Sequence, residues 1–175
     1  KDNGQFGTQH AGGKDAAAAR YINTELQDWV TLAFRHEDLE VLEYSKIDGK
    51  LAEPDVFVPI IPFVLVNGSC GLGTAWVSDI PPHNPVELIH LVRNRINGVI
   101  TKIPMPWTKD HLGEYFRNDG KLFNKGVWKV EGTTVTISEL PVGTWTECVE
   151  AILKNPKTKF EFDSIEENHT DVTVS

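Results

Sequence analysis

The stretch Gly12-Gly13-Lys14-Asp15-Ala16-Ala17-Ala18-Ala19-Arg20-Tyr21-Ile22 limits what this chain can fold into more than any other. Two glycines end a polar loop, and Asp15 can cap a helix whose apolar stripe runs Ile22, Leu26, Trp29, Val30 and Ala33. Tyr21 then falls near one edge of the buried face. An anion at the helix start would meet free N–H groups and the positive end of the dipole. Two readings of the stretch follow. A tyrosine hydroxyl can act as a nucleophile, with Lys14 and Arg20 as cations that hold a phosphate beside it. Alternatively, this is an alanine-rich helix start that happens to carry an Arg-Tyr pair.

Charge distribution bears on the choice. The net charge of −8 argues against a free-standing duplex-DNA binder with a basic face. The first twenty residues nevertheless hold Lys1, Lys14 and Arg20 against Asp2 and Asp15, so any anion site belongs near this end. At 175 residues there is one domain or somewhat more. The chain opens at Lys1 without an initiator methionine and closes on Asp171-Val172-Thr173-Val174-Ser175, which reads as the start of a strand. An excerpt from a longer polypeptide is expected. Cys70 and Cys148 stand far apart with no CxxC spacing, which fits a reducing compartment better than a disulfide framework or a zinc site. The apolar run Val56–Val66 carries Pro59 and Pro62 and is too short to cross a bilayer, so no membrane partner is expected.

Further along, residues 1–13 read as a loop, and Asp48-Gly49 marks a small hairpin. Glu53 to Pro62 is an extended connection, followed by Phe63-Val64-Leu65-Val66 as a short buried strand. Asn67 to Trp76 is a glycine-rich loop with Leu72 between Gly71 and Gly73; pattern alone tucks Leu72 into the core. Asn84 as N-cap, Pro85 at the first helical position and Gly98 at the end bracket a helix with Leu88, Ile89, Val92 and Ile96 on one face. Thr108 to Asn124 is ambiguous. Val127–Val130 and Thr133–Ile137 flank Glu131-Gly132 as a hairpin. Thr144 and Glu147 form a capping box for a helix to about Leu153. Residues 159–162 and 171–174 finish as strands. The order implies an α+β (mixed α/β) fold in two parts.

Nucleotide fingerprints fail. Gly13-Lys14 lacks the earlier glycine and the following Ser or Thr of a P-loop, since Thr8 and Asp15 occupy those positions. Gly71-x-Gly73 has Trp76 where a dinucleotide fingerprint needs its third glycine. Histidines 10, 36, 83, 90, 111 and 169 show no metal spacing, and no DxD cluster would hold Mg²⁺.

One set of blocks does converge. Gly4-Gln5-Phe6-Gly7-Thr8, Gly12-Gly13-Lys14-Asp15-Ala16-Ala17 and Arg20-Tyr21-Ile22 resemble the active-site tyrosine segment of type IIA DNA topoisomerases, in their eukaryotic and large-DNA-virus form. The resemblance continues through Glu53-Pro54, Pro59-Ile60-Ile61-Pro62, Val64-Leu65-Val66-Asn67-Gly68, Gly71-Leu72-Gly73-Thr74 and Trp76. It resumes at Ile80-Pro81, Asn84-Pro85, Ile137-Ser138-Glu139-Leu140-Pro141, Thr144-Trp145-Thr146 and His169-Thr170-Asp171. The blocks run in family order over nearly the whole chain, and Lys102 to Asn124 matches poorly.

The resemblance implies the end of a winged-helix domain with the active-site tyrosine loop over residues 1–60, and a truncated tower-like α/β domain over 61–175. It implies that Tyr21 attacks a DNA phosphodiester, forming a 5′-phosphotyrosine and releasing a 3′-hydroxyl. Arg20 maps onto the arginine that stabilises the scissile phosphate. A phenol with a pKa of about 10 is mostly protonated at neutral pH, and a nearby cation favours the phenolate. Lys14 maps onto a DNA-backbone contact, with Gly13 and His10 beside it, and Leu72 onto an apolar wedge that bends the gate DNA. Double-stranded DNA, a homodimeric partner and a nuclear or viral replication site are implied. So are Mg²⁺ and ATP, both bound outside this stretch. This chain alone is then expected to be inert. Gln9 stands where the family usually has arginine, Asp55-Val56-Phe57 replaces a more aromatic stretch, and Ala75 and Val77 replace glycine and serine. Together with the acidic charge, Gln9 leaves a second implication open: a non-catalytic DNA-gate scaffold or interaction module.

Overall fold

A computed structural model describes residues 2–155, 157 and 163–168. The chain divides into two units: Lys1–Glu25 with Asp110–Ser175, and Leu26–Lys109. The break expected after residue 60 falls inside the second unit. Among the described residues every paired strand is antiparallel and the helices are short, so the fold is mixed α and β, on the α+β side of the expectation.

The first unit begins with β1 (Asp2–Asn3), which pairs with β2 (Asn23–Thr24) and so closes the segment carrying Arg20 and Tyr21 into a loop. The helix expected from Asp15 to Ala33 does not form. Ala18 is extended at φ −59 and ψ 143, a three-residue 3₁₀ turn spans Ala19–Tyr21, and Ile22 is extended again. Asp15 does not cap; its Oδ1 accepts the Thr8 amide at 2.9 Å. Alanine propensity amounts to only tenths of a kcal/mol per residue, and a helix without a face to bury is marginal. The expected stripe buries only Ala33, while Leu26 stands 84 % exposed. Pairing of residues 23–24 with the N-terminus wins.

The second unit starts with α1 (Val30–Ala33). β3 (Tyr44–Ile47) and β4 (Lys50–Pro54) then form the expected hairpin, its turn made by Asp48 (φ 51) and Gly49 (φ 76). Both turn residues have the positive φ that suits the twist of paired strands. Phe63–Val66 is not a strand. It begins α2 (Phe63–Asn67), whose Leu65 and Val66 amides both donate to the Pro62 carbonyl, at 2.9 and 3.3 Å. A short apolar run cannot distinguish the two conformations by period. Here Phe63 stacks on Trp29 with centroids 5.5 Å apart and tilts against Phe34 at 5.3 Å, so aromatic packing decides.

The glycine-rich stretch is more ordered than a loop. β5 (Ser69–Leu72) pairs with β6 (Val77–Ile80), and the Gly73 amide donates to the Trp76 carbonyl at 2.8 Å to close the tip. α3 (Pro85–Ile96) is as expected: Asn84 Oδ1 accepts the Val86 amide at 2.9 Å, and Gly98 follows at φ 77. Leu88 is fully buried beneath it, with Ala33 and His83 also buried in this unit. Backbone bonds from Ile60 to Ala33, His83 to Leu65 and Trp107 to Pro82 tie the connections down.

The first unit resumes with β7 (Glu114–Asn118) and β8 (Lys121–Lys125), a hairpin turning at Asp119-Gly120 within the stretch that is ambiguous in sequence. β9 (Val127–Glu131) and β10 (Thr134–Glu139) form the expected second hairpin, turning one residue later at Gly132-Thr133. α4 (Thr146–Leu153) follows. The capping box does not close: Trp145 occupies the N-cap and no side chain caps the helix. The strands expected at 159–162 and 171–174 lie outside the described residues, as does His169.

Candidate functional site

Five of the six residues singled out by sequence lie in one short loop of the first unit. The loop is built on backbone bonds: Gly13 N–H to Thr8 O at 3.0 Å, Lys14 N–H to Ala11 O at 3.3 Å, Ala16 N–H to Gly13 O at 3.1 Å and Ala17 N–H to Gln5 O at 3.0 Å. Gly7 and Gly13 touch backbone to backbone; a Cβ on Gly7 would stand 2.6 Å from the Gly13 Cα. Gly12 (φ +60) and Gly13 (φ +78) both adopt left-handed geometry, which any larger residue would strain. The loop therefore needs its glycines for shape, whatever it binds.

Asp15 braces the same loop. Its carboxyl is held below the ordinary value of 3.8, chiefly because the Thr8 amide donates to it. Lys14 is exposed, its Nζ 3.9 Å from Glu147 Oε2. Gly13 opens onto empty space, since nothing lies within 4 Å of where its Cβ would be. Its amide is already committed to Thr8, however, so Gly13 offers close approach rather than a donor. His10 is half-buried, its Nδ1 shielded from solvent, and its carbonyl accepts the Glu147 amide at 3.4 Å. Sequence reasoning misses the contribution of Trp145 and Glu147 to this loop. The Thr144-Trp145-Thr146 block is visible there only as a family marker, with nothing to place it against Gly12.

Tyr21 closes the loop. It is 67 % exposed, not at the edge of a buried helix face as the periodicity suggests. The Arg20 guanidinium carbon lies 5.0 Å from the centroid of its ring, close enough for a cation–π contact. The three-residue turn that presents them has no helix dipole to offer, which removes the expected anion site at a helix start. What remains is an accessible hydroxyl, a guanidinium over its ring, and a lysine seven residues earlier on a braced loop. These are groups with which a tyrosine could attack an anionic ester.

Leu72 belongs to the second unit. It pairs with Val77 at the last rung of the β5–β6 hairpin, and its side chain is 87 % exposed. The core placement that pattern alone favours is overturned. No Lys or Arg lies between Gly68 and Pro82, so the hairpin tip is apolar and uncharged except for Asp79.

Comparison with known proteins gives the family. Residues 1–175 match the family described as the A subunit of DNA gyrase/topoisomerase IV. The chain is 45 % identical over 159 residues to DNA topoisomerase 2 of Pisum sativum, covering 89 % of this chain and 11 % of that protein. It is 40 % identical over 179 residues to DNA topoisomerase 2 of Drosophila melanogaster, covering 98 % and 12 %. In three dimensions it resembles the crystal structure of the Plasmodium falciparum topoisomerase II DNA-binding, cleavage and re-ligation domain. That match has a TM-score of 0.80 and 36 % identity, and covers 87 % of this chain and 21 % of the other. The chain belongs to the DNA gyrase/topoisomerase IV family, and it spans about an eighth of the length of these curated relatives.

Among the described residues no group of three or more His, Cys, Asp or Glu side chains could hold a metal ion, so no Mg²⁺ ligand is assigned here. No described helix is long and apolar enough to cross a membrane. Cys70 and Cys148 are both exposed free thiols.

Proposed function

We propose that this chain is the nucleophile-bearing part of an ATP-dependent type II DNA topoisomerase, with Tyr21 as the attacking group. The observation that carries the reading is the exposed Tyr21 with the Arg20 guanidinium over its ring, in a chain of this family. Tyr21 Oη forms a bond to the phosphorus of a duplex DNA phosphodiester as the bond from phosphorus to the 3′ oxygen breaks. The phenolic proton is lost and the 3′ oxygen leaves as a hydroxyl. One phosphate ester replaces another, so the reverse attack reseals the strand without further input. Arg20 offsets charge on the phosphate in the transition state. Lys14 holds a flanking phosphate, with Gly13 and His10 beside it, and fixes the position of the duplex without reading sequence. Leu72 wedges between base pairs and bends the duplex.

The remaining parts of the reaction lie with the rest of the enzyme. Mg²⁺ supplies charge neutralisation at the phosphate when bound, and ATP drives strand passage; both are held outside this chain. A second copy of the enzyme completes the gate as a homodimer, and duplex DNA in the nucleus or at a viral replication site is the substrate. Residues 1–60 correspond to the end of a winged-helix domain and residues 61–175 to part of a tower domain.

The test is Tyr21→Phe in the complete enzyme. The variant should bind DNA yet leave no protein–DNA covalent complex on denaturation. Trapping at the wild-type level would overturn the assignment and favour a non-catalytic gate scaffold.

A further inference from the structure

The Thr144-Trp145-Thr146 segment has no role in the reading above, yet it lies directly against the loop that carries Lys14. A Cβ built on Gly12 would stand 2.5 Å from both Cδ1 and Nε1 of the Trp145 indole and 2.7 Å from its Cγ. Real Cβ atoms essentially never stand so close, so Gly12 packs against the indole with no room for a side chain. Two further contacts join the same elements. The Glu147 amide donates to the His10 carbonyl at 3.4 Å, and Glu147 Oε2 faces Lys14 Nζ at 3.9 Å. The start of α4 thus supports the loop at residues 10, 12 and 14.

From there a continuous backbone route reaches the tyrosine. The Ala17 amide donates to the Gln5 carbonyl at 3.0 Å. Next to Gln5, Gly4 packs so closely that its Cβ would lie 2.9 Å from Ile22 Cγ2 and 3.2 Å from the Tyr21 carbonyl. Asp2 and Asn3 then pair with Thr24 and Asn23. Each step is a hydrogen bond or a close approach that leaves no room for a side chain.

We propose that Trp145 is a positioning residue for the Arg20–Tyr21 pair, its indole serving as the platform that sets the height of Gly12 and, through residues 4–17, the aim of the tyrosine. The inference rests on Tyr21 being the nucleophile. It is also specific about mechanism: Trp145 touches no reacting atom, so its loss changes the rate of the chemical step more than the affinity for DNA. Misplacement of reacting groups by about 1 Å can cost up to a hundredfold in rate.

The test uses the complete dimeric enzyme and an end-labelled duplex. The rate of covalent capture in a single turnover at saturating DNA is measured alongside the DNA dissociation constant. Trp145→Ala should slow capture by about tenfold or more with affinity within about threefold, and Trp145→Phe, which keeps a flat ring, should restore most of the rate. Gly12→Ala should slow capture similarly, because its methyl collides with the indole and the left-handed backbone adds strain. The double variant Gly12→Ala/Trp145→Ala should be no worse than the poorer single, since removing the ring removes the collision. If Trp145→Ala does not fold, Trp145→Leu, which removes the flat ring but keeps apolar bulk, takes its place in the same assay. Wild-type capture by Trp145→Ala or by Gly12→Ala would overturn the proposal, as would a double variant whose loss is the product of the two single losses. Tyr21→Phe runs in parallel. Capture by that variant would overturn the nucleophile reading itself, a result distinguishable from failure of the platform.

Discussion

Leu72→Ala isolates the wedge from every other part of the chain. The side chain is 87 % exposed, so truncating it removes almost no packing. Folding stability should change by no more than about 0.5 kcal/mol. On the wedge role proposed above, the same side chain is buried between base pairs when DNA is bound. Leu→Ala deletes three carbons, and at about 0.8 kcal/mol per buried CH₂, scaled by the 87 % still available to bury, the bent state loses about 2 kcal/mol. That is roughly a 30-fold shift from bent towards straight duplex, at 1.4 kcal/mol per tenfold. A duplex labelled at both ends reports the bend by energy transfer, titrated with the complete enzyme at two salt concentrations. The salt slope of binding should not move, because no Lys or Arg lies between Gly68 and Pro82 to neutralise a phosphate. A bend equilibrium within twofold of wild type would refute the reasoning, and so would a changed salt slope.

Lys14→Ala should behave in the opposite way, weakening DNA binding evenly across sequences and lowering the salt slope by about 1, read from affinities at several ionic strengths. Asp15→Asn tests the loop brace through pH. The Asp15 carboxyl is depressed below 3.8 in the folded chain by the Thr8 amide, so its stabilisation is fully present above 3.8 and is lost as pH falls through the lower folded value. Thermal melts should therefore show a shallower decline below pH 3.8 for the variant than for the parent, and parallel curves would count against the brace.

How much can be read from the sequence depends on how local the determinant is. Asp48-Gly49 and Asn84-Pro85 act through their own backbones, and both the hairpin and the cap stand as expected. Asp119-Gly120 carries the same turn signal. It is obscured because Tyr115-Phe116 and Leu122-Phe123 place apolar residues in adjacent positions, breaking the alternation that marks a strand. Residues 15–33 show the reverse failure. The helical period is present, but two long-range rungs to residues 2 and 3 override it. The site divides in the same way. Arg20 and Tyr21 are neighbours in the chain, so their pairing can be read directly. Trp145 meets Gly12 from the far side of the chain, with the whole second unit between them in sequence, and no spacing rule anticipates that contact.

The same contrast between local and distant determinants explains how an acidic chain can serve a DNA gate. Affinity for a polyanion requires cations only where phosphates lie. Lys14 and Arg20 supply them within seven residues, on a loop whose shape is fixed by glycines and by the Trp145 ring. The hairpin bearing Leu72 has no cation, which suits the proposed insertion between base pairs, where apolar contact replaces stacking and a charge would have to be desolvated. The excess of acidic residues elsewhere, including Glu37, Asp38, Glu40 and Glu43, repels a polyanion from surfaces where docking would be unproductive. Reversing one of those distant acids should therefore raise non-specific DNA affinity while leaving capture by Tyr21 unchanged, whereas reversing Lys14 should impair capture at limiting DNA. On the proposed reading, net charge marks where DNA does not bind, and the two short segments around Tyr21 and Leu72 are where it docks.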